Sequence, residues 1–565
     1  MSLSILKLRF NRWVWLSLIL ATVWIMLACL QMWWQPILAD EWDFYRAMID
    51  WQHQRTLIPH PQAYIHLAQL GMSIFGQSIG SARLVGVLSA ILSVWLIPLL
   101  VHFFWRDDAQ RDWITIVAIL IVALNPMTTQ NAMLLDIDNT LLVPVLMILA
   151  IVWAALQPSS PRLRIAGLAI ATAIALWVKL PTPPLLLSAF GLYHLLQREW
   201  RRAGEIIFAS ILGLVLFGIT FTIYSLFSGY QWAFFAPTFA RTSGFLNLSD
   251  LLVRFPQGVG VFVLWMSLPL SILLGIVLWM SVGRFVANTS NAPDALVLYV
   301  SIVALFYPLV YIPAWGYPRY QAPIIPVISI LVSALIIRNV QPISPKLGWW
   351  FVALFVAILI FNFVILPDPL KPVYGITFEG GISDLARRMM IGLQILAFLS
   401  VTILSAVVLA AILARVYPIS FFSLAITGLA IVTVAGSMSL SWTQVNATYS
   451  TRYRYTYAYA DFFWSVQQAQ SFGASTYSLA IKDVLFESGV PGDEIWSYLC
   501  GDCSPSLLDV IRTRRVDTLI WTTKESSRSS VLQDQFVIDT LRRCYSEETR
   551  GVFKVYRNDM GEVCR

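Results

Sequence analysis

Residues 166–187 read AGLAIATAIALWVKLPTPPLLL. The stretch is apolar on either side of one lysine and a Pro-rich turn. A helix needs about 20 apolar residues to cross the hydrocarbon of a bilayer. The two halves here are each short for a full crossing, and they part at a charge. Backbone broken at membrane depth is tolerated where it lines a cavity. The stretch therefore reads as two helical segments that flank a polar space inside a larger bundle.

The same pattern extends outward in both directions. The chain has 565 residues, 58% of them hydrophobic and 12% charged, with a mean hydropathy of +0.71. Soluble domains carry about 25% charge, and the deficit here is too widespread for one or two anchors. Apolar runs fall at 13–34, 81–104, 112–125, 130–156, 165–180, 183–197, 205–229, 258–280, 296–313, 319–338, 348–366, 389–414 and 418–440, about 13 spans in all. The 23 Trp and 21 Tyr suit many interfacial belts. Met1–Leu30 has the basic start of a signal peptide, but its apolar stretch runs on to Trp34 with no small-residue cleavage site, so it reads as a retained first span. The net charge of +7 comes from single basic residues scattered in short loops, which form no stripe for nucleic acid.

Loop charge sets the orientation. With the N-terminus in the cytoplasm, the inner loops hold WRDDAQRD, QPSSPRLR, QREWRRAGE, GRF, RNVQPISPK and Arg415. These short loops carry the excess of Lys and Arg, as the positive-inside bias requires. An odd number of spans then places the C-terminus outside. The first fold-level expectation is an all-α polytopic membrane domain over 1–440, with a first extracytoplasmic loop at 35–80. Amphipathic helices at 41–54 and 61–75 would lie along the surface in that loop.

Composition changes at Ser441. Residues 441–565 are charged, near neutral and lack any span-length apolar run. GDEIWSY, VDTLIWTT and GVFKVYR read as strands, and SLLDVIRTR and SVLQDQFVIDTLRR as helices, which together make a small extracytoplasmic α/β domain. Cys500, Cys503, Cys544 and Cys564 lie in this domain. An even number of cysteines outside the cell favours structural disulfides. A redox CxxC in LCGDC and a zinc site are the other readings.

Several polar residues need a reason at these depths. Asp40 and Glu41 follow the first span directly. A carboxylate there can serve as a general base if partial burial raises its pKa; the plainer reading is that Asp40 caps the next helix. Asp136 and Asp138, in NAMLLDIDNTLLVPVLMILA, sit at the outer end of an apolar run, and intramembrane acids are functional candidates. Lys179, Arg319, Tyr320 and Arg83 open or interrupt spans on that same outer side. Outer cations run against the positive-inside trend. An anionic ligand such as a lipid phosphate accounts for them, and snorkelling to head groups is the alternative. His60 in IPHP is ambiguous, and the remaining histidines show no metal spacing.

In this order the pieces resemble the polyprenyl-phosphate-sugar-dependent transferases of the glycosyltransferase C superfamily, in the branch of protein O-mannosyltransferases and the lipid A aminoarabinose transferase. The acidic pair corresponds to Asp40–Glu41. A small residue and Arg follow in SIFGQSIGSARLVGVLSAIL. A second acidic site lies in LLDIDNTLL, a TKGP-like turn in VKLP at Lys179, and an RYLLPLLP-like opening in RYQAPIIP at Arg319–Tyr320. The family's Tyr four residues after the Asp is Phe44 here, with Tyr45 next to it. The Lys–Pro–Pro turn of the lipid A branch reads PHPQ, which puts His60 in the place of the Lys.

The resemblance implies a glycosyltransferase C fold and inverting transfer of a sugar from a polyprenyl-phosphate donor to a hydroxyl of a lipid, glycan or protein. It implies no cofactor and no essential metal. Asp40 would take the proton, Asp136 or Asp138 would orient the loop or acceptor, and Lys179, Arg319, Tyr320, Arg83 and His60 would meet the donor phosphate. The expected home is a bacterial inner membrane. A polytopic transporter of an anionic or lipid-linked substrate is the competing reading, although no internal repeat of spans supports it. A non-catalytic relative whose outer domain binds glycan is a third.

Overall fold

A computed structural model describes residues 11–30, 44–45, 47–48, 60–106, 108–137, 140–229, 259–260, 262–263, 266–310, 319–340, 345–365, 398–447, 464–465, 467–468, 476–479, 492–495, 518–522, 535–550 and 553–558. The chain divides into two units: the first holds the described helices as far as Val445, and the second holds the strands.

Helix α1 (Arg12–Cys29) starts at Asn11, whose side chain accepts from the Trp13 N–H at 3.3 Å. Then come α2 (Ala63–Phe75) and α3 (Ile79–Phe104), the latter capped by Ser78, which accepts from the Ser81 N–H at 3.2 Å. Such caps satisfy N–H groups that have no partner within the helix. Next are α4 (Arg111–Leu124), the short α5 (Pro126–Ala132) and α6 (Leu142–Leu156). The chain continues with α7 (Pro161–Val178), α8 (Thr182–Leu196), α9 (Trp200–Ser228), α10 (Leu268–Val286) and α11 (Ala292–Val310). A 3₁₀ turn (Arg319–Ile324) leads into α12 (Ile325–Asn339), followed by α13 (Pro345–Ile360), α14 (Leu404–Val416) and α15 (Phe421–Ala447). Proline sits in the first turn of α7, α8, α10 and α12, where its missing N–H costs nothing.

Seven helices among the described residues are long and apolar enough to cross a membrane: α1, α3, α7, α9, α10, α12 with its 3₁₀ lead, and α15. Shorter apolar helices accompany them. The expected span at 130–156 is not one helix. It parts between Ala132 and Leu142. Pro144 in the first turn of α6 is the cause, since a continuous helix would drive its ring into the carbonyl of Thr140. The break at Lys179 has the same origin, with Pro181 just beyond it.

Helices α3 and α12 form the interior. Nearly every residue of α12 is buried, and α3 packs on α1, α2, α4, α5 and α6. Their buried hydroxyls turn back on their own helix: Ser93 donates to the Ser89 carbonyl at 2.8 Å and Ser329 to that of Ile325 at 2.8 Å. In lipid this settles the hydroxyl's hydrogen bond without a partner helix. Helices α7 and α9 run parallel and close. A Cβ on Gly213 would lie 2.7 Å from Thr172 Cβ and 2.9 Å from the Ala169 carbonyl oxygen.

The second unit is a mixed sheet of β1 (Thr476–Leu479), β2 (Gly492–Ile495), β3 (Thr518–Thr522), β4 (Ser546–Arg550) and β5 (Phe553–Arg557), in the order β2-β1-β3-β5-β4. β1 pairs parallel with β2 and β3; β5 pairs antiparallel with β3 and β4. Helix α16 (Gln535–Cys544) precedes β4. Leu519, Ile520, Phe553 and Val555 are buried. The edge strand β4 is exposed throughout and charged, which discourages further strand pairing. Cys544 is disulfide-bonded. Cys500, Cys503 and Cys564 lie outside the described residues.

Candidate active site

Polar contacts gather one set of helix ends together. Arg338, in the last turn of α12, grips Asp108 in the α3–α4 turn, with Nη2 at 2.6 Å. Arg164 at the start of α7 donates to Glu205 at the start of α9 at 2.8 Å. Arg202 of α9 donates to Gln157 after α6 at 2.9 Å. Phe104 at the end of α3 stacks on Trp153 near the end of α6, with centroids 5.6 Å apart, so the ends of α3, α6 and α12 lie with the starts of α4, α7 and α9. Helix length then sends the start of α3, the start of α6, the end of α7 and the start of α12 to the opposite end. Those are the places of Arg83, Asp136, Lys179 and Tyr320. Four residues spread along the sequence therefore share one end of the first unit.

Lys179 ends α7 in extended backbone, φ −156°, ψ 139°, and its side chain is buried, 2% exposed. Its Nζ lies 4.9 Å from the centroid of the Tyr320 ring, a cation–π contact. A desolvated ammonium gains most from such a face. Tyr320 stacks on Tyr307 of α11, with centroids 5.2 Å apart and planes at 8°. The Tyr307 hydroxyl and Thr182 Oγ1 share a hydrogen bond of 2.5 Å. Thr182 is the first residue of α8, so the hydrogen bond ties the far side of the break to the same cluster. Two of the residues singled out from sequence meet here, and Tyr307 and Thr182 join them without any motif to announce it. Arg319 begins the 3₁₀ turn beside Tyr320.

Arg83 lies in the second turn of α3, fully buried. One turn on, Gly86 lets a neighbour in. A Cβ there would meet the Ala132 carbonyl oxygen at 2.5 Å and Thr140 Cγ2 at 3.1 Å. The segment between α5 and α6 is therefore laid against the same face of α3 that carries Arg83. Asp136 in this segment is buried, and its carbonyl accepts from the Thr140 hydroxyl. Asp138 lies outside the described residues, as do Asp40 and Glu41.

The first loop is tied to the same end. His66 of α2 bonds the Tyr224 hydroxyl of α9 through Nε2 at 2.7 Å and Gln69 through Nδ1 at 2.9 Å. Tyr224 in turn sits edge-on to Trp177, two residues before Lys179, at 5.4 Å. His60 is half-buried, and its carbonyl accepts from the Gln62 side chain at 2.8 Å. Among the described residues no group of three His, Cys, Asp or Glu could hold a metal ion.

The helical membrane unit and the small mixed sheet together share the fold of solved membrane glycosyltransferases. Residues 59–224 match the family model described as dolichyl-phosphate-mannose-protein mannosyltransferase. The chain is similar in fold to ArnT from Cupriavidus metallidurans bound to undecaprenyl phosphate, with TM-score 0.62 and 14% identity over 97% of this chain and 98% of that one. The apo state of the same ArnT gives TM-score 0.58 at 14% identity and the same coverage. The Archaeoglobus fulgidus oligosaccharyltransferase in its apo form gives TM-score 0.49 and 11% identity over 98% of this chain and 75% of that one. No curated protein sequence matches the chain.

Proposed function

We propose that the protein transfers a sugar from a polyprenyl-phosphate donor to an acceptor hydroxyl at the extracytoplasmic face of a bacterial inner membrane, with inversion. The observation that carries this reading is Lys179: a buried ammonium on the Tyr320 ring, at a helix break, sharing one end of the membrane unit with Arg83 and Asp136. A fixed cation there suits a phosphate whose charge grows as the sugar leaves, and preorganised charge of this kind often dominates catalysis.

In the proposed reaction the acceptor oxygen forms a bond to the anomeric carbon from the face opposite the phosphate. Its proton passes to Asp40, with Glu41 beside it. The bond from the anomeric carbon to the phosphate oxygen breaks, and its electron pair stays on the lipid phosphate. Lys179, Arg319, Arg83 and His60 stabilise that charge, and Tyr320 seats the lysine. Asp136 or Asp138 orients the acceptor or the first loop. The partners are the lipid-linked donor, the surrounding membrane lipid and an acceptor that is lipid, glycan or protein. The transporter reading loses ground, because the chain shares its fold from end to end with ArnT and its N-terminal part matches a mannosyltransferase family model.

Mass analysis of envelope glycolipids and glycoproteins, with and without this protein, tests the reading. One glycan or lipid species should lose a single sugar when the protein is absent. Identical profiles in both strains would count against it.

A further inference from the structure

The cluster at the α7–α8 break reaches a residue that lies in no motif. Tyr307 is 1% exposed and bears on two residues near Lys179, one in space and one in sequence. Its ring stacks on Tyr320, the aromatic surface on which the ammonium rests. Its hydroxyl holds Thr182, which opens α8 three residues after the lysine. A lysine side chain is a flexible stem bearing a point charge, so its ammonium sits in one place only if something holds it there. The Tyr320 ring has two faces. With Tyr307 stacked nearly parallel on one, the other remains for the cation.

We infer that Tyr307 is a positioning residue, which fixes the Lys179 ammonium for the donor phosphate by acting through Tyr320 and Thr182. This rests on the reading of Lys179 as a phosphate contact. Tyr307 itself touches Tyr320 and Thr182 and leaves the phosphate to Lys179.

The test measures binding of undecaprenyl phosphate, as the probe, to the full chain in lipid nanodiscs, with thermal unfolding of each variant followed in the same discs. Lys179→Met should weaken binding. Tyr307→Leu should weaken it about tenfold, the scale of a cation–π contact in a desolvated site. Tyr307→Phe keeps the stack and loses only the bond to Thr182, so it should cost about threefold. It carries the test if Tyr307→Leu fails to fold. In the Lys179→Met background neither Tyr307 variant should cause further loss, because contacting residues that act through one another are not additive. Two failures are distinguishable. If Lys179→Met binds as tightly as the wild type, the phosphate role of Lys179 is wrong and the positioning role falls with it. If Lys179→Met weakens binding while the Tyr307 variants bind normally, or lose as much without Lys179 as with it, only the positioning role is overturned.

Discussion

The guanidinium of Arg338 closes on one carboxylate oxygen of Asp108, with Nη2 at 2.6 Å and Nε at 3.2 Å, across 230 residues of sequence. It fastens the end of α12 to the α3–α4 turn, at the end of these helices opposite the candidate site. Burial pushes the Asp108 carboxyl up, but the Arg338 hydrogen bond, the Gln110 N–H and the Arg338 charge outweigh it and hold the group below the usual carboxylate range. A depressed pKa means that the folded state releases this proton more readily than the unfolded chain. The stabilisation is therefore complete above the ordinary carboxylate range and is lost as pH falls through the depressed value. Arg338 is half exposed, so the pair contributes about 1 kcal/mol at most. Asp108→Asn should lower the melting temperature of the purified protein at neutral pH, and the gap to wild type should narrow in acid. A gap that stays constant with pH would sink this account.

Gly86 is where α3 and the segment after α5 come closest. Alanine in place of glycine within a helix normally gains about 1 kcal/mol. Here the added Cβ would meet a backbone oxygen, and overpacking costs about 1–3 kcal/mol, so the loss wins. Gly86→Ala should destabilise the protein and disturb the Asp136 segment. Gly191, whose Cβ position is open, supplies the control. Equal melting temperatures for Gly86→Ala and Gly191→Ala would contradict the close approach.

Orientation can be read with reporter fusions. We propose, from the positive inner loops, that Arg415 lies in the cytoplasm and that α15 (Phe421–Ala447) carries the chain across. Fusions after Arg415 and after Ala447 should report opposite sides. Signals from the same side would remove the basis for an outer site.

The thiol count checks the second unit. Cys544 is bonded, whereas Cys29 is a buried free thiol. We propose that Cys500, Cys503, Cys544 and Cys564 form two disulfides. Labelling of the unreduced, unfolded protein should then find about one free thiol. Three free thiols would mean that Cys544 has the only bridge.

Asp40 is the sharpest case. Asp40→Asn keeps the shape and hydrogen bonding of the side chain but cannot accept a proton. Loss of a general base costs about 10²–10⁴-fold in rate, so transfer should nearly cease while insertion and donor binding stay normal. Arg319→Ala should instead weaken donor binding. Full transfer by Asp40→Asn, with Asp136→Asn or Asp138→Asn inactive, would move the base to the second acidic site. Activity in all three would end the transferase reading.

Much of the architecture is legible in the sequence. The apolar run 81–104 becomes α3 (Ile79–Phe104), and 165–180 and 183–197 become α7 (Pro161–Val178) and α8 (Thr182–Leu196), with the break at Lys179 where proline forces it. In the second unit VDTLIWTT contains β3 (Thr518–Thr522) and GVFKVYR contains β5 (Phe553–Arg557). The strand SEETR escapes such a reading because β4 is exposed along its whole length, so it shows no apolar alternation. The split inside 130–156 is missed for another reason. Long apolar runs flank DIDNT in NAMLLDIDNTLLVPVLMILA, so the stretch reads as one span with two acids near its outer end, and the placement of Pro144 shows where a helix must restart.

What the sequence alone determined was the local chemistry: which segments are apolar enough to be helices in lipid, where proline must interrupt them, and which charges are too costly there to be incidental. These follow from transfer energies and backbone sterics over a few neighbouring residues. Which of those charges meet was decided only by tertiary structure. Lys179 reaches Tyr320 because α8 and α11 pack together, and Gly86 admits Ala132 because α5 lies on α3. Tyr307 and Thr182 carry no signal in sequence, since an aromatic in an apolar helix and a threonine at a helix start are ordinary residues there. Their bond spans 125 positions. Contacts at that separation depend on how whole helices stack, and no periodicity or spacing along the chain encodes them.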